Sequence, residues 1–296
     1  VVMGVPFDSR DIYVLPDEGS FVVSLGTTFY SSYSDRQWVN LMGVDLDRGT
    51  RWIHRGSVIR RFGSTCPDRL YMSPWHGSSL LELDPATGNI KEHALPSTLN
   101  GWPVVEINHV FHDCANHRVF ASNSLNPAIF VWDTSTRSLK STMNLVADAG
   151  LRVGDSLGII VQNPATGRLY AGHWSLWPFS ELDRDTLQVL RQGRLPSFPF
   201  DFHASRDGAW LYVTAAFEGV IWKVDAQTLE VVASFEAPIH CRRIETTPDG
   251  EVLIALSYLT GDLSSYDTRT GQRLRSIYVG PKAQGLFLSE HYAWVF

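Results

Sequence analysis

One pattern constrains this chain more than any other: an Asp followed three residues later by Thr. It recurs six times, at Asp47/Thr50, Asp84/Thr87, Asp133/Thr136, Asp183/Thr186, Asp225/Thr228 and Asp267/Thr270. The residue before each Asp is apolar or aromatic: Leu46, Leu83, Trp132, Leu182, Val224 and Tyr266. Six residues after the Asp stands Ile53, Ile90, Leu139, Val189 or Val231, and only Arg273 breaks the run. An Asp carboxylate accepts from backbone N–H groups two or three residues on, and a Thr hydroxyl supports the same turn. The pattern therefore predicts a tight turn between two strands, with Gly49, Gly88 and Gly271 supplying positive φ.

A second landmark precedes five of these turns by 14 or 15 residues: Leu70-Tyr71, Val119-Phe120, Leu169-Tyr170, Leu211-Tyr212 and Val252-Leu253 each begin a β-rich run. The unit reads strand, Pro/Asp/Gly turn, strand, variable loop, strand, Asp-x-x-Thr turn, strand. Successive Asp residues are 37, 49, 50, 42 and 42 apart, the span of four-stranded propeller blades. No segment has a 3.6-residue period, so helix is minor. The expected fold is all-β, a single β-propeller domain over 1–296. Six units run from about Arg10 to Gly280; Gly285–Leu288 and Tyr292–Phe296 read as two more strands, and Val1–Val5 as another. Together these predict a seventh four-stranded blade closed by both termini, which removes a free edge. Six blades with a frayed end is the alternative.

The run Asp207–Thr214, then Gly219–Asp225 and Thr228–Val232, resembles the YVTN-type repeat. The chain is thereby similar to the YVTN/YncE-like group of seven-bladed propellers, which also includes virginiamycin B lyase-like proteins. The likeness is best in the fifth and sixth units. It implies the fold strongly and a function weakly, because that group spans binding proteins, lyases and proteins of unknown role.

Composition narrows the function classes. With 25 basic and 31 acidic residues the net charge is −6, and no basic run exceeds the pairs Arg60-Arg61 and Arg242-Arg243, so nucleic acid is not an expected partner. No apolar stretch approaches the roughly 18 residues that span a bilayer, so no membrane partner is expected and the chain reads as soluble, its compartment open. It opens on Val1 without a Met, compatible with removal of a leader. Cys66, Cys114 and Cys241 cannot make a disulfide framework and lack CxxC spacing. The 10 Trp, 10 Tyr, 15 Phe, 23 Gly and 15 Pro fit many short strands and turns.

In a propeller blade the loops entering the first strand and those joining the second to the third open on one face, around the central channel. Five of ten histidines fall there: His109, His203 and His240 enter first strands, and His76 and His173 end second strands. Converging neutral imidazoles can bind a transition metal, Fe, Cu or Zn, with an open coordination position. Asp155, Asp201 and Glu106 lie near enough in sequence to orient the rings. Equally, such histidines can bond loop backbones or line a wet channel. Trp75, Trp174, Trp177, Phe198 and Phe200 cluster on the same face, joined by Phe29, Tyr30, Tyr33 and Trp38 of the long loop Thr27–Trp38. These rings suit an apolar or aromatic ligand, or else cap the core and pack loops. Arg60, Arg61, Arg242, Arg243 and Lys282 are candidates for an anionic group, one of each Arg pair facing away by strand alternation.

Gly154-Asp155-Ser156-Leu157 matches the letters of a hydrolase motif that belongs to an α/β fold, and is read as coincidence here. No Gly-x-Ser-x-Gly elbow, His-Glu-x-x-His or phosphate-cradling glycine loop occurs. Two functions follow. The first is a small-molecule enzyme of undetermined reaction class, oxidative or lyase/hydrolase, using a metal on His109, His203 and His240. In it His76, His173, Asp155 and Arg243 are catalytic, Trp75, Trp174, Trp177, Phe200 and Arg61 hold substrate, and no organic cofactor is used. The second is a non-catalytic propeller that binds a ligand or a protein partner.

Overall fold

The computed structural model describes residues 9–17, 19–25, 39–55, 59–63, 66–74, 77–99, 101–104, 106–123, 127–145, 157–173, 178–215 and 217–295. The chain divides into two compact units, 1–142 and 143–295.

In the first unit, the first sheet contains β1 (Ser9–Val14), β2 (Ser20–Leu25), β3 (Val39–Asp45) and β4 (Gly49–Arg55). The second contains β5 (Ile59–Phe62), β6 (Leu70–Pro74), β7 (Ser79–Leu83) and β8 (Ile90–Ala94). A small hairpin, β9 (Thr98–Leu99) and β10 (Trp102–Pro103), precedes the third sheet. That sheet holds β11 (Ile107–Asp113), β12 (Arg118–Asn123), β13 (Ala128–Asp133) and β14 (Ser138–Asn144), the last running on into the second unit. A 3-10 turn over Cys114–Asn116 separates β11 from β12.

The second unit carries β15 (Leu157–Gln162), β16 (Leu169–His173), β17 (Pro178–Leu182) and β18 (Val189–Arg194). Next come β19 (Asp201–Ala204), β20 (Trp210–Ala215), β21 (Val220–Asp225) and β22 (Val231–Glu236). The sixth sheet is β23 (Cys241–Thr246), β24 (Val252–Ser257), β25 (Asp262–Asp267) and β26 (Arg273–Tyr278). A pair, β27 (Leu286–Leu288) and β28 (Ala293–Val295), follows. Among the described residues there are six four-stranded sheets, each paired in chain order, where seven four-stranded blades were expected. The two C-terminal strands of the expected seventh are present as a two-stranded sheet, and Val1–Val5 lies outside the described residues.

The repeated turn behaves as its chemistry requires. Oδ1 of Asp84, Asp133, Asp183, Asp225 and Asp267 accepts from the amides two and three residues on, at 2.7–3.3 Å. In four of these turns the Thr Oγ1 accepts from the amide two residues further, at 3.3 Å. The first sheet departs from the expected pair Asp47/Thr50: there Asp45 is the acceptor, taking Asp47 N–H at 3.0 Å and Arg48 N–H at 2.9 Å. The reason is the backbone. Four residues after each acceptor the chain turns left-handed, at Gly49, Gly88, Arg137, Leu187, Leu229 and Gly271 with φ between 54° and 82°. Counting from Asp45 puts Gly49 there, whereas counting from Asp47 would put Arg51, a residue of β4, into that conformation.

Three of the six positions lack glycine, and each non-glycine has an anchor. Arg137 Nη2 reaches Oε1 of the buried Glu82 at 3.2 Å, and Leu187 and Leu229 are buried in the core. The glycines differ among themselves. A Cβ on Gly49 would meet nothing within 4 Å, but one on Gly88 would lie 2.5 Å from Trp52 Cδ2. Trp52 of β4 crosses that turn and donates Nε1–H to Pro85 O at 2.9 Å.

Second strands form the core: Tyr71, Phe120, Tyr170 and Tyr212 are fully or nearly fully buried. Three of the tyrosines stand opposite a charged residue on the third strand, Tyr71 to Glu82, Tyr170 to Glu181 and Tyr212 to Lys223. Each charge is satisfied rather than merely buried. Glu82 takes His93 Nε2 at 2.8 Å as well as Arg137, Glu181 takes Arg191 Nε at 2.7 Å, and Lys223 donates to Thr268 O at 2.9 Å. The His93 and Arg191 contacts each lie within one sheet, whereas Arg137 to Glu82 and Lys223 to Thr268 O tie adjacent sheets, as does Arg191 through Nη2–H to Ala226 O at 3.4 Å.

Candidate functional site

Within the second unit the segments 195–200, 217–219, 237–240 and 257–261 adjoin one another, and Arg242 lies over rings from two of them. Its guanidinium carbon lies 4.1 Å from the Tyr258 ring centroid and 5.1 Å from that of Phe200. Guanidinium over aromatic faces is favoured by the ring quadrupole. His240, two residues earlier, adopts φ 59° and turns its ring edge to Phe217 at 5.1 Å. Burial and the Arg242 charge lower its pKa, so the ring is neutral at pH 7. Two backbone bonds and one from a side chain hold the loops in place: Tyr258 N–H donates to His240 O, the Ser257 hydroxyl to Ile239 O and Lys282 N–H to Tyr258 O, at 3.0, 2.6 and 2.7 Å. Around this centre, Phe217, Ile239 and Leu259 are 70%, 52% and 58% exposed. Isolated exposed apolar residues mean little, but these three stand on adjoining loops.

The strands beneath are locked by polar bonds. His203 Nε2 accepts Thr246 N–H at 3.2 Å and lies 2.8 Å from Thr246 Oγ1. Burial pushes its pKa down to about 4, so the ring is neutral and Nε2 is the acceptor nitrogen. Asp201 Oδ2 accepts Ile244 N–H at 3.2 Å. Cys241 is fully buried, and burial, reinforced by the Asp201 charge, raises its thiol pKa, which makes it an inert thiol. Arg243 donates Nε–H to Gln284 O at 3.1 Å, so of the Arg pair it is Arg242 that lies over the rings.

The remaining sequence candidates scatter. His173 ends β16, wholly buried. His109 sits on β11 in the first unit, where its amide donates to Ser122 Oγ at 3.0 Å. Trp75, His76, Asp155, Trp174, Trp177 and the loop Thr27–Trp38 lie outside the described residues, and of Arg61 only the backbone, in β5, is described. Among the described residues the structure brings together Phe200, His240 and Arg242; Phe217, Tyr258, Ile239 and Leu259 join them without having been singled out. Their signal in the sequence is faint: apolar residues next to the turn glycines Gly219 and Gly261.

The first unit contains a grouping that sequence spacing did not suggest. Cys66 and Cys114, 48 residues apart, form a disulfide with their Cα atoms 5.6 Å apart. His112 Nε2 lies 3.3 Å from Cys66 Sγ. Among the described residues, Cys66, His112 and Cys114 form a set whose ligand atoms lie within 4.8 Å of one another.

The sequence matches no family model and no curated protein. Among solved structures it is similar to a chain in the crystal structure of mitotic checkpoint complex, at a TM-score of 0.61 and 13% identity over 75% of this chain. The chain spans 64% of that chain's length. Meandering four-stranded sheets and this likeness define the class: an all-β propeller fold. No helix among the described residues is long and apolar enough to cross a membrane.

Proposed function

We propose that the chain is a binding propeller whose second unit takes an apolar peptide segment of a partner protein onto the loops around Arg242. The observation that carries this reading is the exposure of Phe217, Ile239 and Leu259 on adjoining loops beside a guanidinium held over two rings. The solved neighbour is a chain of a protein complex, which agrees with that use of the fold. The resemblance to seven-bladed propellers goes with this proposal, β27 and β28 being two strands of a seventh blade. A linear peptide library selected on the immobilised full chain tests the reading. Selected peptides should be rich in apolar residues and bind a Phe217→Ser/Ile239→Ser/Leu259→Ser variant at least tenfold more weakly. Equal binding to both proteins refutes it.

The competing proposal is small-molecule chemistry at a transition metal on His109, His203 and His240, with His173, an imidazole wholly buried at the end of β16, as acid or base. A metal bound at His203 Nε2 has to displace the Thr246 amide from that nitrogen. Near one equivalent of Fe, Cu or Zn in untagged protein, lost in a His109→Ala/His203→Ala variant, supports this proposal over the first.

A further inference from the structure

Cys66 lies buried in the connection between β5 and β6, whereas Cys114 is exposed at the start of the 3-10 turn after β11. His112, two residues before Cys114, is buried with its ring edge-on to Tyr71 at 4.8 Å. The two backbones that supply these residues are tied together. His112 N–H donates to Gly63 O, and a Cβ on Gly63 would fall 2.0 Å from Val110 O, an approach that only glycine allows. The backbones next to Cys66 and His112 are thus held by packed strands and not by the disulfide alone.

Two sulfurs and one imidazole nitrogen are the donor set of borderline and soft cations. With Zn–S near 2.3 Å and Zn–N near 2.0–2.1 Å, neighbouring corners of a tetrahedral site are about 3.5 Å apart for N and S and about 3.8 Å for two sulfurs. The observed separation of His112 Nε2 from Cys66 Sγ, 3.3 Å, is already close to the first of these. Only the sulfur pair has to part, and the exposed Cys114 on its three-residue turn is the side that can move.

We propose that Cys66, Cys114 and His112 form a redox-gated site for a thiophilic d10 cation of the Zn2+ class, closed in the disulfide and open in the dithiol. A dithiol reductant cleaves the Cys66–Cys114 bond by exchange: two electrons and two protons pass to the cysteines, giving two thiols, and the reductant becomes a disulfide. The cation then displaces both thiol protons, two protons leaving per Zn2+ bound, and takes the His112 imidazole as third ligand. Water fills the fourth position, on the solvent side at Cys114.

Zn2+ itself is the probe, titrated against a chromophoric chelator into the full chain, oxidised or reduced with a phosphine that is then removed without air. Reduced protein should take up one equivalent more than oxidised protein, and Co2+ in its place should show thiolate-to-metal charge-transfer absorption. Cys114→Ser should abolish the extra equivalent and His112→Gln should weaken it at least tenfold. A metal held by His109, His203 and His240 would bind in both redox states and survive both substitutions, so the two sites are separable. Equal uptake in the two states, or an extra equivalent undiminished in both variants, overturns the proposal. Loss of far-ultraviolet circular dichroism on reduction overturns it too, since the site needs both sheets to stay packed.

Discussion

Alanine at Gly88 and at Gly49 would impose the same left-handed backbone, φ 76° and 82°, in two copies of one turn. Their surroundings differ, and that difference sets the expected outcome. At Gly49 a Cβ meets nothing within 4 Å, so Gly49→Ala should cost only the backbone term, about 1 kcal/mol. At Gly88 the new methyl would lie 2.5 Å from Trp52 Cδ2, so the indole must leave its place over the turn. Moving it breaks the 2.9 Å bond from Trp52 Nε1–H to Pro85 O, about 1 kcal/mol, and repacks a half-buried ring at about 1 kcal/mol or more. Gly88→Ala should therefore cost about 3 kcal/mol. Urea midpoints followed by far-ultraviolet circular dichroism, which does not depend on the altered tryptophan, measure both. In a Trp52→Ala background the clash partner is gone, and the cost of Gly88→Ala should fall back to about 1 kcal/mol. Equal costs at the two glycines, or an undiminished cost at Gly88 without Trp52, would refute the packing argument.

Three further outcomes are expected. Asp45→Ala should lower the urea midpoint, as loss of two amide partners requires, whereas Asp47→Ala should leave it unchanged; the reverse result would restore the Asp47/Thr50 turn. Stability should fall with acid: imidazoles that titrate near 6.5 in the unfolded chain are held near 4 at His203 and His112, so the unfolded state binds more protons between those values. The contribution is intact above pH 6.5 and lost as the pH falls to about 4, at about 3 kcal/mol for His203, and His203→Gln should remove roughly half of the combined slope of urea stability against pH. Reducing the disulfide in metal-free protein frees a 48-residue separation and should cost about 4 kcal/mol of chain entropy, part of it recovered on adding Zn2+; an unchanged midpoint on reduction would contradict this.

The repeat is legible because its chemistry is local: an Asp, two amides and a left-handed residue lie within five positions of one another. The same locality explains the error in the first sheet, where Asp45 and Asp47 both present a carboxylate and only the place of Gly49 decides between them. Leu187 and Leu229 hide the left-handed position elsewhere, since packing and not glycine sustains it there. The charged partners of Tyr71, Tyr170 and Tyr212 stand eleven residues on in each case, a spacing that was open to view without a structure. By contrast, nothing along the chain announces that Cys66 meets Cys114, because that contact depends on how two sheets pack. The loops around Arg242 lie between these extremes. Phe200 and His240 stood out one by one, but that Arg242, not Arg243, lies over the rings follows only from the register of β23.

Among the described residues every four-stranded sheet hydrogen-bonds its strands in chain order. Pairing partners are therefore sequence neighbours, and the loop that must close before each new ladder forms is short or of moderate length. Each sheet can assemble from its own segment without waiting for distant chain to arrive. Refolding of this β-protein should accordingly be quicker than all-β proteins with distant pairings achieve, with the slower events left to the docking of one finished sheet on the next.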